Sequence, residues 1–192
     1  QDMAAKITAG NSFIVALDQS GGSTPKPLPG YGIDDSAWSP ATKIFALIPQ
    51  ARCRIIRSPS FGNGKVIGAI LFQKTMDGTV DGKPVPQALI DLGIVPFLKI
   101  DKGLEAEADG VQLMKPMPGL DALLERAKGL GVFGTKERSV INAANAKGIA
   151  DAIAQQFDVG KQVLAHDMMP ILEPEYSIKA PDRAEGEAIV KA

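Results

Sequence analysis

The chain has 192 residues, with 21 Lys or Arg against 22 Asp or Glu for a net charge of −1, and 45% of it is hydrophobic. That apolar share excludes a disordered chain, and the balanced charge lacks the basic surplus with which nucleic-acid binders hold phosphates. No run of about 18 apolar residues offers a membrane span, and the single Cys53 forms no internal disulfide, which fits a reducing compartment such as the cytoplasm. No basic-then-apolar leader opens the chain, which starts on Gln1, and its length suggests one domain.

In chain order, Ser12–Leu17 reads as a buried strand, closed by Asp18 and the loop QSGGSTPKPLPG. Pro40–Gln50 has apolar residues at helical spacing, with Pro49 expected to end or kink it. Val66–Phe72 is a second strand, Pro84–Leu92 a short helix with proline at its start, and Ile94–Ile100 a third strand. Gly119–Gly129 reads as a helix with Leu120, Leu123, Leu124 and Ala127 on one face. Val132–Thr135 is a short fourth strand. Asn145–Ala165 is a long helix with Ile149, Ala152, Ile153, Gln156 and Phe157 in one stripe. Met169–Leu172 is a fifth strand, and Pro181–Ala192 begins another helix. Strand and helix alternate five times, which implies parallel strands and an α/β fold. Two architectures fit: a doubly wound open sheet, or the first five units of a barrel that needs eight.

Polar pairs stand just past the strands: Asp18 and Ser20 after the first, Lys99 and Asp101 at the third, Lys136 and Arg138 after the fourth, Glu173 and Glu175 after the fifth. Residues i and i+2 of extended chain point the same way. In a parallel sheet these groups meet at the carboxyl end, where α/β proteins place their sites. Any single pair is as well explained by a solvated salt bridge, but four together favour a catalytic mouth.

The inventory narrows the chemistry. Lys99, Lys136, Arg138 and Lys26 offer cations for a phosphate, and the QSGGS loop offers backbone N–H groups. Asp18, Glu173 and Glu175 offer carboxylates for proton transfer. A lysine crowded by cations holds more neutral amine, which attacks carbonyls. Schiff-base chemistry on a phosphosugar matches this set. The lone His166, near a helix end, supports no multi-histidine zinc site. Neither a P-loop nor a G-x-S-x-G elbow occurs. Cys53, in the basic stretch ARCRIIR, reads as structural.

The blocks ALDQSGGSTPK, SPSFGNGKVIGAILFQKTMD, VPFLKIDKG, DGVQLMKPMPGLD, FGTKERS and PILEPE, running in order from about Phe13, together resemble the class I fructose-1,6-bisphosphate aldolases of the bacterial branch. The resemblance implies a (β/α)8 barrel, of which residues 1–192 form a single partial domain holding about five units. It implies cleavage of fructose 1,6-bisphosphate to dihydroxyacetone phosphate and glyceraldehyde 3-phosphate, in glycolysis and gluconeogenesis, through a lysine Schiff base. It implies no metal or other cofactor and no nucleic-acid or membrane partner, and leaves homo-oligomerisation open.

Residue by residue, Asp18 matches an aspartate that moves a proton at the cleaved bond. Ser20 and Ser23 match loop residues near a phosphate, and Lys99 a lysine on substrate oxygens. Lys136 matches a lysine assisting carbinolamine chemistry, and Arg138 an arginine near a phosphate. Glu173 matches the general acid/base of the carbinolamine, and Glu175 the neighbour that tunes the lysine cluster. Two departures stand out. The family's Schiff-base lysine, in a run of the L-K-L-T kind, has no match here and is expected about one crossover helix beyond Ala192. Glu137 stands where the family carries a bulkier apolar residue between the lysine and arginine. The competing reading is a non-catalytic fragment or paralogue that binds phosphorylated ligands or a protein. A third is a Schiff-base aldolase for another phosphosugar.

Overall fold

The computed structural model describes residues 3–10, 12–19, 32 and 44–192. Ser20, Ser23 and Lys26, most of the QSGGSTPKPLPG loop and the start of the Pro40–Gln50 helix lie outside these. The chain gathers into two compact units, Gln1–Lys99 with Gly129–Phe133, and Ile100–Lys128 with Gly134–Ala192.

The first unit holds α1 (Met3–Thr8), β1 (Phe13–Leu17), α2 (Ile44–Arg57), β2 (Val66–Leu71), α3 (Gln73–Met76), β3 (Thr79–Val80), β4 (Lys83–Pro84), α4 (Val85–Asp91) and β5 (Val95–Lys99). β1, β2 and β5 pair in parallel in that order, as the alternating pattern predicts, and Leu17, Leu71 and Leu98 fall on one rung. Continuous apolar runs make strands that bury both faces, and Ala69, Leu71, Phe97 and Leu98 are fully buried. Packing is tight at Gly68, where a Cβ would press on Ile14, the Phe97 ring and the Val95 carbonyl at 3.2–3.3 Å. Phe97 meets Phe133 edge-on at 5.7 Å.

α2 corrects the sequence reading. The helix does not end at Pro49 but continues to Arg57. Pro49 is its sixth residue, so the missing N–H forfeits a single ladder bond. In return the helix buries Ile48, Arg52 and Ile56, spaced four apart on one face. A short antiparallel hairpin, β3–β4, was not expected.

The second unit holds β6 (Val111–Gln112), most of α5 (Leu120–Gly129), β7 (Gly134–Ile141), α6 (Ala146–Ala165), β8 (Met169–Tyr176) and α7 (Arg183–Lys191). β7 and β8 pair in parallel over their full lengths, from Gly134 with Met169 to Ile141 with Tyr176, and β6 joins β7 antiparallel. Both long strands outrun their predicted ends. Lys136, Arg138, Glu173 and Glu175 therefore lie within β7 and β8 rather than past them.

α6 starts on Asn145, whose side chain accepts from the Gly148 N–H at 2.9 Å. A side chain at Gly148 would overlap the Asp109 carbonyl, so this turn requires glycine. The buried stripe of α6 runs through Ile149, Ala152, Gln156, Gly160 and Val163. Phe157, predicted in it, is instead 56% exposed: it is one residue, or 100°, round the helix from Gln156. Val111, Ile141, Ile149 and Ala152 form the core, with Tyr176, Ile189 and Val190 packed on it. No described helix is long and apolar enough to cross a membrane.

Candidate active site

In the first unit, Asp18, Phe72 and Lys99 each follow the Leu17–Leu71–Leu98 rung. The parallel sheet thus delivers Asp18 and Lys99 to the same carboxyl edge, and Asp18 is buried. Beneath that edge lies a residue the sequence reading missed. The buried Arg52 donates to Thr75 Oγ1 at 2.7 Å and to the Gln19 carbonyl at 2.5 Å, and its guanidinium sits 5.9 Å from the centre of the Phe72 ring. Burial pulls its pKa down to about 10, against the opposing pull of the Asp18 carboxylate. It remains a cation at neutral pH. The available signal was helical spacing from Ile48 and Ile56, hidden by the expectation that Pro49 stops the helix.

In the second unit, side chains of β7 alternate between two faces. Lys136 and Arg138 share one with Glu173 and Glu175 of β8. Lys136 Nζ lies 2.9 Å from Glu173 Oε2, and Arg138 Nη1 lies 3.0 Å from Glu175 Oε2. Register sets Arg138 opposite Glu173, so both ion pairs run diagonally, one step along β8. Lys136 is buried, whereas the Arg138–Glu175 pair is open to solvent on both sides.

The other face of β7 carries Thr135, Glu137 and Ser139, all buried. Gln156 of α6 closes this layer: its Nε2 donates to Ser139 Oγ at 2.9 Å and to the Glu173 carbonyl at 3.3 Å. Glu137 Oε2 accepts from Thr135 Oγ1 at 3.3 Å. Burial pushes the Glu137 carboxyl up to about 7; the Thr135 bond opposes, Asp101 adds, and Lys136 opposes.

Of the predicted residues, Lys136, Arg138, Glu173 and Glu175 are thus brought together by contact, and Asp18 and Lys99 share a sheet edge. Ser20 and Ser23 lie outside the described residues. His166 caps α6 and pairs with Asp121 at 2.9 Å, as its place near a helix end suggested. Among the described residues no three His, Cys, Asp or Glu side chains gather as metal ligands. A groove of about 610 Å³ in the first unit, lined by Ile56, Gly62, Val80 and Leu92 among others, includes none of the candidate residues.

Parallel βα units carrying acids and cations at strand ends and along strand faces define an α/β protein of the (β/α)8-barrel kind, here a partial one. The family model for class-I fructose-bisphosphate aldolase matches residues 1–180. The class 1 fructose-bisphosphate aldolase of Porphyromonas gingivalis is 54% identical over 180 residues, covering 93% of this chain and 61% of that protein. The solved structure of fructose-bisphosphate aldolase from Plasmodium falciparum, in complex with TRAP and a small-molecule inhibitor, matches with a TM-score of 0.70 at 20% identity, over 91% of this chain and 50% of its own. The chain belongs to the class I fructose-bisphosphate aldolase family, and spans about 61% of the length of the curated relative.

Proposed function

We propose that this chain supplies the acid–base and much of the phosphosugar-binding machinery of an aldehyde-lyase. In this reading fructose 1,6-bisphosphate is cleaved to dihydroxyacetone phosphate and glyceraldehyde 3-phosphate through a Schiff base on a lysine beyond Ala192. Residues 1–192 are then part of one barrel domain. The observation that carries the reading is the Lys136–Glu173 pair on one strand face, at 2.9 Å, within a chain of this family.

Glu173, paired with the Lys136 ammonium, relays the proton lost by the nucleophilic amine to the ketone oxygen as the amine adds, giving the carbinolamine. The same carboxyl then delivers a second proton, drawn from solvent, to the carbinolamine hydroxyl, which leaves as water and gives the iminium. Asp18 takes the proton of the hydroxyl next to the cleaved bond, and the bond's electrons pass to the iminium. Lys99 and Arg138 hold substrate oxygens and a phosphate, with Ser20 and Ser23 lending loop contacts. Glu175, paired with Arg138, moderates the cation cluster. No metal step is needed, and the lone Cys53 fits a cytoplasmic protein.

The test uses the full-length protein. Borohydride with dihydroxyacetone phosphate is expected to leave a covalent adduct seen by intact mass, and chelators to leave turnover unchanged. Glu173→Gln and Asp18→Asn are each expected to lower kcat by about 10²–10⁴. An enzyme that leaves no adduct and stops on chelation overturns the reading.

A further inference from the structure

Behind the charged face of β7, the layer between β7 and α6 holds more acceptors than donors. Glu137 is fully buried and, among the described residues, has one partner, the Thr135 hydroxyl on Oε2; its Oε1 has none among them. Gln156 is as deeply buried, and its Oε1 is also without a partner, while its Nε2 is already given to Ser139 and the Glu173 carbonyl. Both orphaned atoms accept and neither donates. A carboxylate with one donor in such a place is costly, and the usual remedy is to take up a proton. The charged groups that bear on it are Asp101, which disfavours a second negative charge, and Lys136, which is engaged with Glu173. α6 presents the uncharged Gln156 to this layer.

We propose that Glu137 is a positioning residue for the Lys136–Glu173 pair, held as a neutral carboxylic acid between β7 and α6 and loosening that pair when it ionises. Its connection to the pair is short. Glu137 shares its backbone with Lys136 and Arg138 on either side. Gln156 bonds both to β7, through Ser139, and to β8, at the Glu173 carbonyl. An ionised Glu137 draws water or a cation into the layer and separates α6 from β7, and Glu173 moves with Gln156.

The sign follows from linkage. The carboxyl binds its proton more tightly in the folded chain, up to about 7, than its ordinary 4.5. The folded state therefore holds more protons between these values, and stability is greatest below the lower one, falls as pH rises through the interval, and is level above it.

The kinetic part rests on the aldolase reading; the stability and labelling parts do not. In the full-length protein, the folding equilibrium constant is expected to fall relative to Glu137→Gln by about a hundredfold between roughly pH 5 and 8. Over the same interval Lys136 is expected to be acetylated faster in wild type than in the variant, scored by peptide mass. The kcat of wild type is expected to drop relative to the variant with KM unchanged. Parallel stability profiles overturn the neutral acid. Diverging stability with superimposed Lys136 labelling overturns the positioning role. Should Glu137→Gln fail to fold, a ¹³C-carboxylate titration of wild type decides: a midpoint near the ordinary glutamate value overturns the proposal. Absence of any aldol turnover counts against the proposed function alone, since labelling and stability still report on Glu137.

Discussion

Arg52 in the first unit and Glu137 in the second are both buried ionisable side chains, and burial moves each toward neutrality by a similar amount, to about 10 and about 7. The outcomes differ because the starting points differ. The guanidinium begins so far above neutral pH that it keeps its charge, and the fold surrounds it with acceptors: a hydroxyl, a carbonyl, an aromatic face and the field of Asp18. The carboxyl begins close enough to lose its charge, and the fold gives it one hydroxyl. A buried cation of this kind anchors; a buried acid of this kind titrates.

Substitutions at Arg52 test that contrast most severely. Arg52→Met strips the buried guanidinium from the Thr75 hydroxyl and the Gln19 carbonyl, and is expected to cost about 3 kcal/mol, read as a lower urea midpoint at unchanged slope. Arg52→Lys separates charge from shape. Lysine keeps a cation but not the planar fork, and burial lowers its pKa, so an intermediate loss of about 1–2 kcal/mol is expected, shrinking as pH rises and the buried amine sheds its proton. An Arg52→Lys chain as stable as wild type breaks the account of why this cation stays charged. The smallest effect belongs to Lys147, which bridges Asp109 and Asp151 at 2.8 Å in open solvent. Lys147→Met is expected to leave the midpoint within replicate scatter, because water already solvates all three groups.

Much of this arrangement was legible in the sequence. Apolar runs located β1, β2, β5 and the first parts of β7 and β8 but not β3, β4 or β6; helical stripes located α5 and α6, and a proline in the first turn marked α7. The period of two placed Lys136 with Arg138 and Glu173 with Glu175 on common faces. What misled was charge. FGTKERS and PILEPE read as strand followed by loop, because four ionised side chains in eight-residue strands are unfavourable unless paired across the sheet, and pairing is a property of two strands, not one. Arg52 was hidden in the same way: in ARCRIIR it is one basic residue of three, and only the continuation of α2 past Pro49 selects it for burial. Glu137 stands out in the sequence as a charge where the family is apolar, but its burial and its single described partner, Thr135, are properties of the packed layer, which no local pattern reveals.

The diagonal ion pairs of β7 and β8 carry one more consequence. Arg138 is bonded to Glu175 yet stands in register with Glu173. Whenever an anionic ligand takes Lys136 away, Glu173 therefore has a second cation at its own level, reached by a change of rotamer with the backbone at rest. The four charges form a ladder that re-pairs one rung over, with Lys136 given to the ligand and Glu175 turned to solvent.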